Sequence, residues 1–294
     1  MKTLWPILGL AWLVTFSAPA QVSVSLDITM EQEQFLPSEK LPVAVRISNR
    51  SGQTLHLGAD ANWLVFNVES ADGFVVVKNA EVPVVGEFDL DSSQVAIKRV
   101  DLQPYFGLMR PGRYKVTATM RIKDWKAEIA SAPAKFDVIS GVHLWSLDFG
   151  VPASAGVTNG APEVRKYALQ EANYLRSQLR LYVLVSDASG THVFKVLQIG
   201  KMVSFSQPET QLDGSSNLHI LWQSGAATFN YVVVNPDGEL VQQELYDYVT
   251  TRPRLDVNAD GKILVVGGSR RTSVRESSSE MPMVNPLPPA AMKP

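Results

Sequence analysis

The chain has 294 residues, a formal net charge of −2 and no cysteine. This length accommodates two domains with sizeable apolar cores, and the lack of cysteine excludes disulfides as their support. The 27 Lys and Arg side chains are scattered rather than gathered in a stripe, so nucleic acid is not an expected partner.

Residues 1–20 are typical of a secretory signal peptide. Lys2 supplies the positive start, residues 4–16 form an uncharged and mostly apolar run, and the Ala-Pro-Ala triplet at 18–20 fits a cleavage site. The alternative is an uncleaved anchor, although the run is short for a bilayer span. We therefore expect an exported protein, periplasmic or extracellular, that begins at Gln21 and has no membrane span after cleavage.

Residues 21–140 alternate apolar and polar residues in short runs separated by turn residues, which predicts a β-sandwich. After the Pro-Gly turn at 111–112, Tyr114 enters a strand in a position that resembles the tyrosine corner of immunoglobulin-like sandwiches. The resemblance implies that Trp63 is the core tryptophan. It also places Val116 where an antibody domain has a cysteine.

Residues 141–271 form the second predicted domain, a β-rich region with internal repeats. Residues 141–160 are predicted to be a connector. The segment that begins at Ser177 is similar to the one that begins at Ser216, and a third, partial copy begins near Ala259. A period of about 40 residues with paired strands resembles β-propeller blades.

Too few repeats fit for a closed ring, so the second domain has other possible arrangements. It could be a second antiparallel sandwich or an open, propeller-like stack of sheets. Residues 164–172 fit either a helix or a strand by their apolar spacing. Residues 272–294 are rich in Ser and Pro, which predicts a disordered tail, with a Pro-rich docking segment as the alternative.

The sequence "LDVNADGKILVVGG" is compatible with a calcium loop or a hairpin turn. Asp256, Asn258 and Asp260 alternate before Gly261, as calcium ligands do. An EF-hand loop also needs a carboxylate at its twelfth position, which is Gly267 here. Asp-Gly between apolar runs is typical of hairpins. The sequence therefore favours a turn and no cofactor, and calcium would need a distant carboxylate.

No catalytic motif is evident in the sequence. The histidines are far apart and none has metal-ligand spacing: His56, His143, His192 and His219. His219 lies in mid-strand, where packing is the expected role. Glu87, Asp89 and Asp91 share one strand face, which fits a metal site, a sugar site or a solvated edge.

Aromatic side chains supply the candidate binding residues, because exposed rings stack on sugars. The candidates are Trp145, Trp222, Tyr246 and Tyr248. The alternative for Trp222 is a core position, since it falls on the apolar register of the repeat.

Four segments resemble exported bacterial proteins of uncharacterised function that join an immunoglobulin-like half to a propeller-blade-like half. The segments are LMRPGRYKV, PEVRKYALQ, SNLHILWQSGA and VVNPDGELV. The resemblance implies no catalytic residue.

We expect a non-enzymatic binding or structural interaction protein of the bacterial envelope. Its partner would be an envelope or extracellular protein or a glycan, and unpaired sheet edges would favour self-association. The alternatives are a carbohydrate-active hydrolase or glycan-binding protein, and a protease inhibitor.

Overall fold

The computed structural model describes residues 24–152 and 163–271, and the chain divides into two compact units between Ile139 and Ser140. The segments expected to be a signal peptide (1–20) and a tail (272–294) lie outside the described residues. The prediction of an all-β protein is confirmed, with 55% of residues in strands. Nowhere in the two described ranges is there a helix long and apolar enough to cross a membrane.

Unit 1 is built from short strands and one turn of 3-10 helix at Gln103–Tyr105. Its strands are β1 (Val24–Thr29), β2 (Gln34–Phe35), β3 (Pro42–Asn49), β4 (Leu55–Leu57), β5 (Leu64–Ser70), β6 (Phe88–Leu90), β7 (Val95–Asp101), β8 (Gly112–Ile122), β9 (Ala127–Ala130) and β10 (Ala134–Val138).

Two main sheets of unit 1 enclose one core. One sheet has the order β1-β3-β7 and the other β2-β10-β8-β5, with β9 also paired to β8 and β2 running parallel to β10. Alternate residues of both sheets meet inside: Val45 and Ile47 of β3 share a cluster with Phe66 of β5 and Val116 of β8. Trp63 is also buried there, and its indole N–H donates to the carbonyl of Val84 at 2.8 Å.

Tyr114 anchors the start of β8. Its hydroxyl donates a hydrogen bond to the carbonyl of Arg110, four residues upstream. Its ring stacks on Phe136 at 5.4 Å and meets the edge of Phe74 at 5.5 Å. Burial raises the pKa of Tyr114, so its hydroxyl stays protonated as a donor. The hydrogen bond expected of a tyrosine corner is therefore present.

The sequence pattern also predicts a strand over residues 74–77, after the Asp-Gly turn, and this prediction is wrong. The carboxylate of Asp72 binds the backbone N–H of Arg113 at 2.8 Å and also its guanidinium. Beyond this point the segment leaves β5, and the N–H of Gly107 donates to the carbonyl of Val77. Val75 is 88% exposed as a result.

Unit 2 begins with a strand where the sequence suggested a connector. Its strands are β11 (Val142–Gly150), β12 (Val164–Tyr174), β13 (Gln178–Asp187), β14 (Val193–Lys201), β15 (Glu209–Leu212), β16 (Leu218–Gln223), β17 (Thr228–Val234), β18 (Leu240–Asp247), β19 (Arg254–Val257), β20 (Ile263–Val266) and β21 (Ser269–Arg270). The ambiguous residues 164–172 therefore belong to a strand. Their alternation fits pairing between β11 and β13, which buries Tyr167 and Leu169.

Three antiparallel layers stack in unit 2. The first sheet is β11-β12-β13-β14, the central sheet is β15-β16-β17-β18-β21, and the terminal hairpin is β19-β20. One core lies between the first and central sheets, and a smaller one lies between the central sheet and the terminal hairpin. No closed barrel or propeller forms from the described residues.

The sequence repeat corresponds to hairpins that occupy different places in their sheets. The first copy forms β13 and β14, the last two strands of the first sheet, whereas the second forms β16 and β17 inside the central sheet. The repeated apolar positions nevertheless meet in one core, where Leu181 and Val183 pack with Ile220 and Trp222.

We predict that Tyr114→Phe lowers the free energy of unfolding by about 1–2 kcal/mol, because the carbonyl of Arg110 loses its donor. Equilibrium urea unfolding measures the change. The matched control is Tyr248→Phe, at an exposed tyrosine, which we expect to change stability by less than about 0.5 kcal/mol. Equal effects of both substitutions would contradict a role for the buried hydroxyl.

Candidate binding surface at one end of unit 2

The connections of unit 2 gather at two opposite ends, because consecutive antiparallel strands reverse direction each time. We call one group the basic end, and it comprises residues 174–178, 200–208, 223–228 and 248–254. We call the other the acidic end, and it comprises the turns at 187–192, 213–217, 235–239 and 258–262.

The two ends carry opposite charge. The basic end holds four cations and no Asp or Glu: Arg176, Lys201, Arg252 and Arg254. The acidic end holds five carboxylates: Asp187, Asp213, Asp237, Glu239 and Asp260. Lys262 is the one Lys or Arg in those four turns. This separation of charge arises in a chain whose overall charge is close to neutral.

Carboxylates and amides at the acidic end organise their own turns. Asp187 accepts hydrogen bonds from the hydroxyl of Ser189 at 2.6 Å and the backbone N–H of His192 at 3.0 Å, and these lower its pKa. Asn235 accepts from the N–H groups of Asp237 and Glu239 in the same way. The acidic end is thus a row of tight turns closed by their own side chains.

Two connections of the basic end, at 200–208 and 248–254, are longer than the turns of the acidic end, and they are tied to neighbouring loops. The N–H of Val203 donates to the carbonyl of Gln223 at 3.1 Å, and the N–H of Tyr248 donates to the carbonyl of Ala227 at 2.7 Å. The guanidinium of Arg252 lies 3.4 Å from the hydroxyl of Ser206. These contacts hold three loops together as one surface.

Apolar side chains project from this surface. Phe205 is 78% exposed, Val249 is 69% exposed and Tyr248 is 49% exposed. Phe205 and Val249 lie on loops that contact each other through Arg252 and Ser206, so their exposed apolar side chains belong to one surface. The guanidinium of Arg252 lies 5.3 Å from the ring of the buried Phe229, which helps to orient this cation.

Of the four aromatic residues predicted from the sequence, only Tyr248 lies exposed at the basic end. Trp222 is 1% exposed and donates its indole N–H to the carbonyl of Lys201 at 2.7 Å, so its ring belongs to the core. Trp145 packs partly buried against the same core. Tyr246 is half-buried, and its hydroxyl donates to Glu244 at 2.7 Å.

The loop predicted as turn or calcium site has the geometry of a turn. The side-chain oxygen of Asn258 accepts from the N–H groups of Asp260 and Lys262, at 3.1 and 2.8 Å. Gly261 has a φ of 76°, which the turn requires. Asp256 lies in β19 near Arg254. Within the described residues, no group of three His, Cys, Asp or Glu side chains is arranged to hold a metal ion.

His219 joins a polar cluster beneath the terminal hairpin. Its Nδ1 lies 2.7 Å from the hydroxyl of Tyr231 and its Nε2 lies 3.4 Å from Asp213. Burial raises the pKa of Tyr231 to about 12. His219 is 7% exposed, so this carboxylate, imidazole and phenol are packed within the unit rather than presented to a substrate.

The prediction that Glu87, Asp89 and Asp91 share one strand face is wrong, because β6 is only three residues long: Asp89 lies in it, and the other two flank it. Asp89 lies opposite His56, with the imidazole Nδ1 2.6 Å from the carboxylate, and Asp91 accepts from the hydroxyl of Thr54 at 2.9 Å. Asp89 raises the pKa of the His56 imidazole by this hydrogen bond. Glu87 remains exposed, and the three carboxylates do not converge with other ligands into a metal cluster among the described residues.

Comparison with known proteins adds no family. The chain matches no protein-family model, and a search of curated proteins finds no match.

Sequence reasoning missed the exposed side chains of the basic end, namely Phe205, Val249, Lys201 and Arg252. The sequence of unit 2 did contain a pattern that indicates this surface: turns rich in Asp, Asn and Gly alternate along the chain with connections that contain no acid. Since successive hairpin connections lie at opposite ends, this alternation separates the charges in space.

We predict that the stability contribution of Asp213 depends on pH. Burial alone would raise its pKa, but hydrogen bonds from Asn217, Ser215 and His219 outweigh burial and hold the pKa below 3.8. Its stabilising effect is therefore present above the unfolded pKa and is lost as the pH falls through the folded pKa. Asp213→Asn should cost about 1–3 kcal/mol at pH 7 and less at pH 2, because a larger fraction of the folded-state carboxyl group is protonated there.

Thermal unfolding at both pH values tests this expectation. Asp260→Asn, at the tip of an exposed turn, serves as the control and should show little effect at either pH. A loss of stability in Asp213→Asn that is the same at pH 7 and pH 2 would contradict the role assigned to the carboxylate.

For the loop at 256–261 we predict turn behaviour. Asn258→Ala should lower stability by about 1 kcal/mol, because two backbone N–H groups lose their acceptor. Neither calcium nor a chelator should move the melting temperature of the full chain. A rise with calcium that Asp256→Asn abolishes would show that the loop binds metal.

Proposed function

We propose that the protein is an exported, non-enzymatic binding protein of the bacterial envelope, and that the basic end of unit 2 contacts its partner. The observation that carries this proposal is the joint presence of exposed Phe205, Tyr248 and Val249 on loops that contain cations and no acid. Binding sites are commonly carried by loops on a rigid β scaffold. Export rests on the signal-like residues 1–20.

We also propose the finer fold classes. An immunoglobulin-like sandwich for unit 1 is supported by the hydrogen bond from Tyr114 to Arg110 and by the shared core of its two main sheets. A propeller-blade-like arrangement for unit 2 is supported by its face-to-face stack of consecutive antiparallel sheets. In both units the strands form the scaffold, and the loops are the parts that would contact other molecules.

A binding role agrees with the placement of the titratable groups. His219 and Asp213 are packed under the terminal hairpin, while His56 and Asp89 form an exposed pair on a short two-stranded ladder. Among the described residues, the hydrogen bonds of these two histidines include no exposed Ser or Thr hydroxyl that could act as a nucleophile. Neither pair therefore favours a hydrolase.

Affinity capture with matched variants tests the proposal. The mature chain is immobilised and exposed to the envelope and secreted fractions of the source cell. We expect a retained component that is lost with the double variant Phe205→Ser, Val249→Ser. The control is Val241→Ser, an exposed valine on β18 away from the basic end. Retention of no protein, glycan or lipid, or equal retention by all variants, would overturn the proposal.

A further inference from the structure

We infer that the basic end of unit 2 docks on a bilayer surface that carries anionic lipid headgroups. This inference rests on the proposed function, since it names the partner of the same surface. It is argued from the apolar tips, the unpaired cations and the opposite charge of the two ends.

The apolar groups stand on loop tips rather than in a groove. Phe205 lies in the connection between β14 and β15, whereas Tyr248 and Val249 lie between β18 and β19. Ser204 precedes Phe205 and Thr250 follows Val249, whereas Asp247, which precedes Tyr248, is paired with Arg271. Separate apolar tips can each enter the headgroup region while the hydroxyls remain hydrated there, and tyrosine is favoured at that depth.

Lys201 and Arg252 lie on the same two connections as these tips, and Arg176 lies on the connection between β12 and β13. Within the described part of the chain, Arg176, Lys201 and Arg252 form no ion pair, and all three are exposed. Cations near an anionic membrane surface each strengthen attachment, and their long aliphatic stems let them lie beside inserted apolar groups. The four connections contain no carboxylate, and the acids that border them are engaged: Asp247 pairs with Arg271, and Glu209 accepts from the N–H of Leu255. The net positive charge of these connections complements a layer of phosphates.

Charge at the other end favours one orientation. The turns of the acidic end carry Asp187, Asp213, Asp237, Glu239 and Asp260. An anionic surface repels this end and attracts the basic end. The strands of unit 2 would therefore run along the membrane normal, with the acidic turns pointing away from the bilayer. A partner protein would be expected to meet a contiguous apolar core with satisfied polar groups around it. Here the exposed apolar groups stand on three separate loops, since Leu175 in the first of them is also 47% exposed.

Vesicle sedimentation tests the inference with the mature chain. The probes are vesicles of phosphatidylcholine alone and vesicles in which about a third of the lipid is phosphatidylglycerol. We expect binding to the anionic vesicles, weak or no binding to the neutral ones, and a loss of binding as salt rises, because salt screens the attraction. Equal binding to both kinds of vesicle would overturn the role of charge.

Matched variants locate the contact. Lys201→Gln and Arg252→Gln should each weaken binding about fivefold, and Phe205→Ser should weaken it about tenfold. The controls are Lys262→Gln at the acidic end and Val241→Ser on β18, which should bind as the unaltered chain does. Controls that weaken binding as much as the basic-end variants would overturn the assignment of this surface.

The two proposals fail in different ways. No binding to anionic vesicles, together with a protein or glycan captured through Phe205 and Val249, overturns the lipid partner and leaves the binding function intact. No vesicle binding and no captured component overturn both.

Discussion

Burial of the two inner strands of the central sheet, β16 and β17, on both faces is the constraint on which the organisation of unit 2 depends. Along β16, Ile220 and Trp222 face the first sheet, while Leu221 between them faces the terminal hairpin. Strand β17 does the same with Val232 on one side and Tyr231 on the other. A strand covered on both faces offers no side chain to a ligand. Contacts with other molecules are thus left to the edges and the ends of the strands.

The two ends differ because their connections are built by different turn chemistry. At the acidic end, short Asp and Asn side chains accept hydrogen bonds from nearby backbone N–H groups, as Asp213 does from Ser215 and Asn217. These hydrogen bonds hold the carboxylates within the turns. At the basic end, backbone contacts between loops provide the support, so side chains such as Phe205 and Lys201 are free to project. The charge separation therefore accompanies a difference in structural role.

Local rules predicted much of this architecture. Period-two alternation identified most strands, the Pro-Gly turn before Tyr114 indicated its hydrogen bond, and Asn-x-Asp-Gly segments indicated hairpin turns. Other features depend on tertiary partners that the local sequence does not encode. The apolar run at 74–77 has strand composition, but Asp72 binds Arg113 and the run pairs elsewhere. Residues 142–150 became a strand because β12 offered an edge.

The candidate surface was hardest to predict for the same reason. An exposed Tyr248 and a buried Trp222 are both aromatic residues within or beside apolar strands. The apolar register of the repeat made a core position possible for Trp222, and the stacking of the layers decides it. Likewise, the first and last cations of the basic end are more than seventy residues apart in the sequence. They come to one end of the unit only after the hairpins fold.

Hydrogen–deuterium exchange of the mature chain, free and bound to its captured partner or to anionic vesicles, tests the central claim most directly. The account predicts slower exchange in the loops at 200–208 and 248–254 on binding, with no change in the acidic turns at 187–192 and 235–239. Protection confined to the acidic turns, or to unit 1, would contradict it.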